Sequence, residues 1–190
     1  MDTARDATAV RHRYAVDGWG VGEVVVRDGV LLTHALPSRR RQLSPRAGGP
    51  QGGARTPEDT VTGEPSKEAH RFVSDLCRRF AAHLAGTRVS YDDVPVEADG
   101  LSAFQVELLA AARSVGWGDV VTYGGLAALA GRPRAARAAG SFCARNTLSL
   151  VVPCHRVVAA GRDEPYVLGG YGPSGTGLKR RLLALEGTLL

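Results

Sequence analysis

Residues Leu150–Val158 read LVVPCHRVV, placing a nucleophile, a base and a cation at consecutive positions Cys154, His155 and Arg156 between apolar runs. A free thiol has a pKa near ~8.5, so only a few per cent is thiolate at neutral pH. A neighbouring imidazole or cation lowers that value and exposes a soft nucleophile. Pro153 fixes the backbone just before the sulfur. Adjacent side chains on a strand point apart, so Cys154 and His155 are expected to meet through a water or a bend. A histidine base also needs a group to hold its other nitrogen, and Glu186, in Leu185-Glu186-Gly187, is the available carboxylate. The pair alone leaves a reactive and a purely structural cysteine both open.

A second constellation lies upstream. RPRAARAAGSFCAR carries Arg132, Arg134, Arg137 and Arg145 and no acid, with Ala135, Ala136, Ala138 and Ala139 between them. Small side chains let a helix backbone approach another surface, and arginines can meet phosphates. The same residues also fit a solvated helix with an alanine stripe facing a core. Their context is a short helix, Tyr123–Ala130, capped by Thr122 and ended by Gly131, then a helix over Arg134–Cys143 with Pro133 in its first turn. Two short helices joined by a tight glycine turn read as a helix-turn-helix.

The elements that must hold these residues are partly legible. In Gly20–Leu36 a period-two pattern breaks at Asp28-Gly29, which predicts a β-hairpin. Pro37–Pro65 is dense in Arg, Gly and Pro and reads as a flexible loop. Phe72, Val73, Leu76, Phe80 and Leu84 recur at helical spacing over Ser66–Leu84, and Cys77 beside them reads as a core residue. Val94–Gly100 reads as a strand end and a domain boundary. Ser102 then caps a helix carrying Phe104, Val106, Leu108, Leu109 and Ala112. Leu178–Glu186 is a last short helix.

Composition bounds the rest. The chain has 190 residues, 44% of them hydrophobic, enough for one large or two small domains with real cores. No apolar run approaches the ~20 residues that span a bilayer, and the polar start MDTARDATAVRHR lacks an apolar signal region, so a cytoplasmic protein is expected. Three cysteines without CxxC spacing argue for reduced thiols rather than a disulfide framework or a zinc knuckle. The net charge is +5, and the excess falls in residues 98–190, with ten Lys+Arg against six Asp+Glu. That suits a polyanionic partner, or simply a solvated basic face.

VPCHRVV resembles the active-site motif of the O6-alkylguanine-DNA alkyltransferases, the methylated-DNA–protein-cysteine methyltransferases. Other features of that family accompany it in order. VVTYGGLAALAGRPRAARAAG resembles its helix-turn-helix, Asn146 stands eight residues before Cys154, and LLALEG resembles its closing helix. The likeness is strong over residues 101–190 and looser over Gly20–Leu36 and Ser66–Leu84. It implies an α/β protein: a ribonuclease-H-like N-terminal domain over 1–97, with 37–65 a loop, and a winged-helix-like, mainly helical DNA-binding domain over 98–190.

The resemblance also implies roles. Cys154 is the alkyl acceptor, taking the group from O6-alkylguanine, and from O4-alkylthymine, in a single turnover. His155 is its base through a water, held by Glu186. Asn146 stabilises the turn that places the site, and Tyr123 donates toward guanine N3. The carbonyls of Cys154 and Val157 accept from the exocyclic amine. Tyr171, Gly172 and Arg156 complete the substrate pocket. Arg137 fills the stack vacated by the flipped base, and Arg134, Ala135, Ala136, Thr122 and Arg145 line the DNA surface. The partner implied is double-stranded DNA, bound through the minor groove with little sequence preference by a monomer, without metal or cofactor. In this chain Gly161–Gly170, GRDEPYVLGG, is several residues longer than the family's turn, and no cysteine precedes Cys77 to hold the N-terminal zinc of some relatives. A lesion sensor or helix-turn-helix regulator is the other class of reading; sensors of this kind replace the cysteine, and a regulator leaves the Cys-His-Glu set without purpose.

Overall fold

The computed structural model describes residues 9–38, 67–163, 165–171 and 175–188. Most of the arginine- and glycine-rich stretch expected to be a loop, and Gly172, lie outside the described residues. The fold is mixed α/β. Strands β1 (Val10–Val16), β2 (Gly20–Arg27) and β3 (Val30–Ser38) form an antiparallel sheet in the order β1-β2-β3. Asp28 and Gly29 have φ of 52° and 75°, the left-handed pair of a two-residue hairpin turn. β1 escaped the sequence reading because Arg11, His12 and Arg13 are exposed and only Tyr14 is buried. Glu23 on β2 pairs with Arg11 and Arg13 at 3.1 and 3.2 Å, and charges at a sheet edge block further strand pairing.

β3 runs further than expected. It takes in Pro37, where the loop was predicted to begin, and Ser38 pairs with Val21. The register slips between Val21 and Glu23, an irregularity that accommodates a residue lacking an N–H.

Helix α1 (Lys67–Leu84) packs on β1 and β2 through Val73, Leu76, Phe80 and Leu84, the predicted stripe. His34 of β3 stacks on Phe80 with ring centroids 3.7 Å apart. Its Nε2 meets the Tyr14 hydroxyl at 2.6 Å and its Nδ1 meets the Ser149 carbonyl at 2.6 Å. The backbone of His34 also donates to Thr147 O at 2.8 Å. The N-terminal sheet is thereby fastened to the segment that leads into Cys154.

Helix α2 (Ala103–Ser114) starts at Ser102 with a full capping box: Gln105 N donates to Ser102 Oγ and Ser102 N to Gln105 Oε1. Its last turn sends Arg113 to the carbonyls of Tyr91, Asp92 and Val94. Next come β4 (Val121–Thr122), α3 (Tyr123–Leu129) and α4 (Ala136–Arg145). α3 is capped by the Thr122 hydroxyl, which accepts from Gly125 N at 2.9 Å. α4 begins two residues later than predicted. Pro133 falls in a turn closed by Ala135 N on Arg132 O, so Arg134 and Ala135 precede the helix rather than open it.

Cys154–Arg156 form a 3-10 turn rather than a strand, which removes the expected alternation of Cys154 and His155. β5 (Val157–Ala160) pairs in parallel with β4 and antiparallel with β6 (Tyr166–Val167). The long connection after β5 is therefore a small hairpin. Helix α5 (Gly175–Leu185) packs its Leu182 and Leu183 inward. No helix among the described residues is long and apolar enough to cross a membrane.

Candidate active site

Cys154 is 4% exposed, at the head of the 3-10 turn. Leu148, Leu150, Val151 and Val152 before it are all buried. Leu150 takes φ of 69°, a costly conformation for a leucine, and the surrounding core holds it there. Asn146 organises this approach. It ends α4, its Nδ2 donates to Val152 O at 2.9 Å, and its Oδ1 accepts from Leu148 N at 2.9 Å.

His155 is fully buried, and its Nε2 meets Glu186 Oε1 at 2.9 Å. Four further donors converge on that carboxylate. His83 Nε2 lies 3.1 Å from Oε1 and Arg156 Nη2 2.8 Å from it, while Arg156 Nε and Gly118 N reach Oε2 at 2.9 and 3.5 Å. Burial pushes the Glu186 carboxyl up, but the bonds from His155, His83 and Arg156 outweigh it and hold the group well below the usual carboxylate range. An ionised carboxylate only accepts, so both imidazoles donate from Nε2. The Nδ1 of His83 lies 3.3 Å from the Tyr91 hydroxyl, which also reaches Arg79 O at 3.4 Å. The Nδ1 of His155 is a buried acceptor without a partner among the described residues. Burial lowers His155 to about 4, so the ring is neutral at physiological pH and its Nδ1 lone pair is free.

His83, His155 and Glu186 have ligand atoms within 4.8 Å of one another, the spacing of a metal site. The donor set does not fit one. Both carboxylate oxygens already bond the fixed cation of Arg156, which repels a metal ion.

The sulfur has three more neighbours. The Cys143 thiol, from the last turn of α4, faces Cys154. Their interaction pulls Cys143 down and, with burial, pushes Cys154 up: the pair yields one proton readily and holds the second. Lys179, completely buried on α5, donates to Val157 O and, at 3.3 Å, to Gly170 O. Burial lowers its ammonium to about 8, against the pull of both thiols. Tyr123 donates to Gly170 O at 3.4 Å. Burial, then the two thiols, raise its hydroxyl above the ordinary value, so it remains a neutral donor. The chain passes this ring at Gly169, where φ is 65° and any Cβ would fall 3.2 Å from the tyrosine. Tyr171 is raised chiefly by burial and also feels Cys154.

The structure thus brings together Cys154, His155, Glu186, Asn146 and Tyr123, with Tyr171 nearby. Arg156 grips Glu186 and Val115 O, the latter at 2.6 Å, as a buried clamp. Val157 O takes Lys179 as donor and keeps a second lone pair. Arg134, Arg137 and Arg145 are exposed on the segment carrying α4, while Thr122, Ala135 and Ala136 are half-buried. Sequence reasoning missed His83, Lys179 and Cys143. His83 stands three residues past Phe80 on the α1 stripe, and Lys179 three before Leu182; a polar residue on a buried face was the available signal.

The family profile described as "6-O-methylguanine DNA methyltransferase, DNA binding domain" matches residues 103–188. A methylated-DNA–protein-cysteine methyltransferase of Methanopyrus kandleri is 40% identical over 134 residues, covering 70% of this chain and 95% of that protein. The chain belongs to the methylated-DNA–protein-cysteine methyltransferase family. Another member, from Metallosphaera sedula, is 37% identical over 115 residues, 60% of this chain and 68% of its own length. Among solved structures, Mycobacterium tuberculosis OGT in complex with DNA has a TM-score of 0.67 at 27% identity, covering 93% of this chain and 92% of that one. The O6-methylguanine-DNA methyltransferase of Pyrococcus kodakaraensis, with a TM-score of 0.59 at 23% identity, shares the fold.

Proposed function

We propose that this chain repairs alkylated DNA by moving the alkyl group of O6-alkylguanine, and of O4-alkylthymine, onto Cys154 in one irreversible turnover. The observation that carries the reading is the bare, buried Nδ1 of His155, one residue from the sulfur, on a ring that Glu186 holds in the Nε2–H tautomer. Cys154 is pushed up by the neighbouring Cys143 thiol and by burial, so it rests as a thiol and needs a base. A water between the sulfur and Nδ1 relays the proton to His155, and the adjacent Glu186 carboxylate stabilises the imidazolium.

The thiolate then attacks the O6-bound carbon. The C–O bond breaks, and Tyr123 protonates N3 so that guanine leaves neutral. The phenolate left on Tyr123 is screened by the Lys179 ammonium, 5.8 Å from the centre of that ring, until it takes a proton from solvent. The product is a thioether, which is not hydrolysed at neutral pH, so each molecule reacts once. The target carbon is inside the duplex, so the nucleotide is flipped out, at a cost of a few kcal/mol.

α3 and α4 act as a helix-turn-helix that enters the minor groove, where Arg137 fills the vacated stack. Arg134, Arg145, Thr122, Ala135 and Ala136 line the same surface. The N-terminal sheet with α1 acts as a ribonuclease-H-like domain over residues 1–97, and residues 98–190 as the alkyl-accepting domain. The protein works as a monomer in the cytoplasm, without cofactor. The test is intact-mass measurement after incubation with a duplex bearing O6-methylguanine. One methyl on Cys154, absent in Cys154→Ala, is expected; an unchanged mass for folded, reduced protein overturns the reading.

A further inference from the structure

We propose that Cys143 and Cys154 are a redox pair, closing under hydroperoxide into an intramolecular disulfide that withdraws the acceptor sulfur from alkyl transfer and returns it on reduction. The consequence for repair rests on Cys154 being the acceptor; the disulfide itself does not.

The juxtaposition is built by the backbone. Cys143 lies in the last turn of α4, and its carbonyl accepts from Asn146 N at 3.3 Å. Asn146 Nδ2 reaches Val152 O, and that same carbonyl accepts from Cys154 N at 2.8 Å. One asparagine and one carbonyl therefore bind the two cysteine-bearing segments together, near enough that each thiol shifts the other's titration. Bond formation requires the sulfurs to close to about 2 Å. Lys179, buried beside both thiols, favours a thiolate within the pair, which is the form that reacts with peroxide. The third cysteine is set apart: Cys77, on α1, is pushed up to about 11 by burial.

The chemistry balances. A thiolate of the pair attacks one peroxide oxygen, the O–O bond breaks, and with a proton from solvent one water leaves. The sulfur is oxidised by two electrons to a sulfenic acid. The other thiol attacks that sulfur, the S–O bond breaks, a second water leaves and the S–S bond forms. A dithiol reductant returns both thiols by exchange. Without a second thiol the sulfenic acid goes on to sulfinic and sulfonic acids, which a dithiol does not reverse. For a protein that reacts once, a resolving thiol separates a reversible loss from a permanent one.

The experiment treats folded, reduced protein with hydrogen peroxide, blocks free thiols with iodoacetamide, and reads intact mass and a proteolytic map. Labelling by benzylguanine is followed before and after dithiothreitol. Expected for the wild type are a loss of two hydrogens, a Cys143–Cys154 linked peptide, loss of labelling, and its return on reduction. Cys143→Ser, scored against its own untreated labelling, gains oxygen atoms on Cys154 and stays inactive after dithiothreitol. Oxygenated Cys154 without a linked peptide in the wild type, a link to Cys77, or recovery of Cys143→Ser to the wild-type extent overturns the proposal. If benzylguanine never labels the protein, the repair reading fails while the mass and peptide map still decide the disulfide.

Discussion

The imidazoles of His83 and His155 meet on one oxygen, Oε1 of Glu186, at 3.1 and 2.9 Å. One comes from α1 and the other from the 3-10 turn, so this carboxylate joins the N-terminal helix to the reactive segment. His83 has a contact on each ring nitrogen, whereas His155 has one among the described residues and its Nδ1 is unpaired. His83→Phe keeps a ring tilted against Trp117, whose centroid is 4.6 Å away, and deletes the N–H. Oε1 retains His155 and Arg156. The expected outcome is a loss of about 1–2 kcal/mol in urea melts, with benzylguanine labelling slowed only a few-fold. Abolished labelling in a folded His83→Phe protein shows instead that His83 takes part in the proton transfer.

Glu186→Gln is expected to be far worse. The amide turns an N–H toward at least one of the donors that now converge there, and it strands the buried Arg156 guanidinium. Breaking a buried pair of this kind costs about 3–5 kcal/mol. The His155 tautomer also loses its anchor, so labelling slows by ~10²-fold or more. Arg156→Lys separates the two effects: it keeps the charge but loses the fork on Glu186 and the bond to Val115 O. Labelling closer to wild type in Arg156→Lys than in Glu186→Gln, at equal stability, is the pattern expected.

How much of this was legible in the sequence follows from what each element depends on. The β2–β3 turn, the α1 stripe and the Ser102 and Thr122 caps are set by neighbours in the chain, and all were read correctly. β1 was not, because its side chains are charged and its pairing is decided by β2. The start of α4 was misplaced because Pro133 fits a first helical turn locally, while the structure uses it in a turn closed on Arg132 O. The cysteine, histidine and glutamate were readable from residue type. Their partners were not, since His83 is 103 positions from Glu186 and nothing local ties them.

Acid should destabilise the fold through two histidines. His34 and His155 are each lowered to about 4 by burial, from an unfolded value near ~6.5. Between those values the unfolded chain binds more protons, so stability is complete above about pH 6.5 and falls as pH drops toward 4, by roughly 3 kcal/mol for each group. Glu186, held low, adds its own loss only below the unfolded carboxylate value near ~4.3. Urea melts from pH 7.5 to 4.5 should show the midpoint falling steadily, with a shallower fall in His34→Gln. A flat profile in the wild type means that these rings protonate in place.

Arg137 offers a test of how DNA is engaged. It is exposed on α4, and Ser141 and Ala144 on the same face are also exposed, so no acid on that helix neutralises it. If Arg137 occupies the gap left by the flipped nucleotide, Arg137→Ala slows repair within a duplex far more than reaction with free benzylguanine, which needs no extrusion. Arg134→Ala and Arg145→Ala, as phosphate contacts, instead lower the slope of log affinity against log salt by about 0.9 each and leave the free-base reaction alone. Repair rates on duplex and free base, with binding measured at several salt concentrations, separate the two roles. Equal losses on both substrates in Arg137→Ala place its effect in the pocket and not in extrusion, and a slope unchanged in Arg134→Ala and Arg145→Ala moves the DNA surface off this helix.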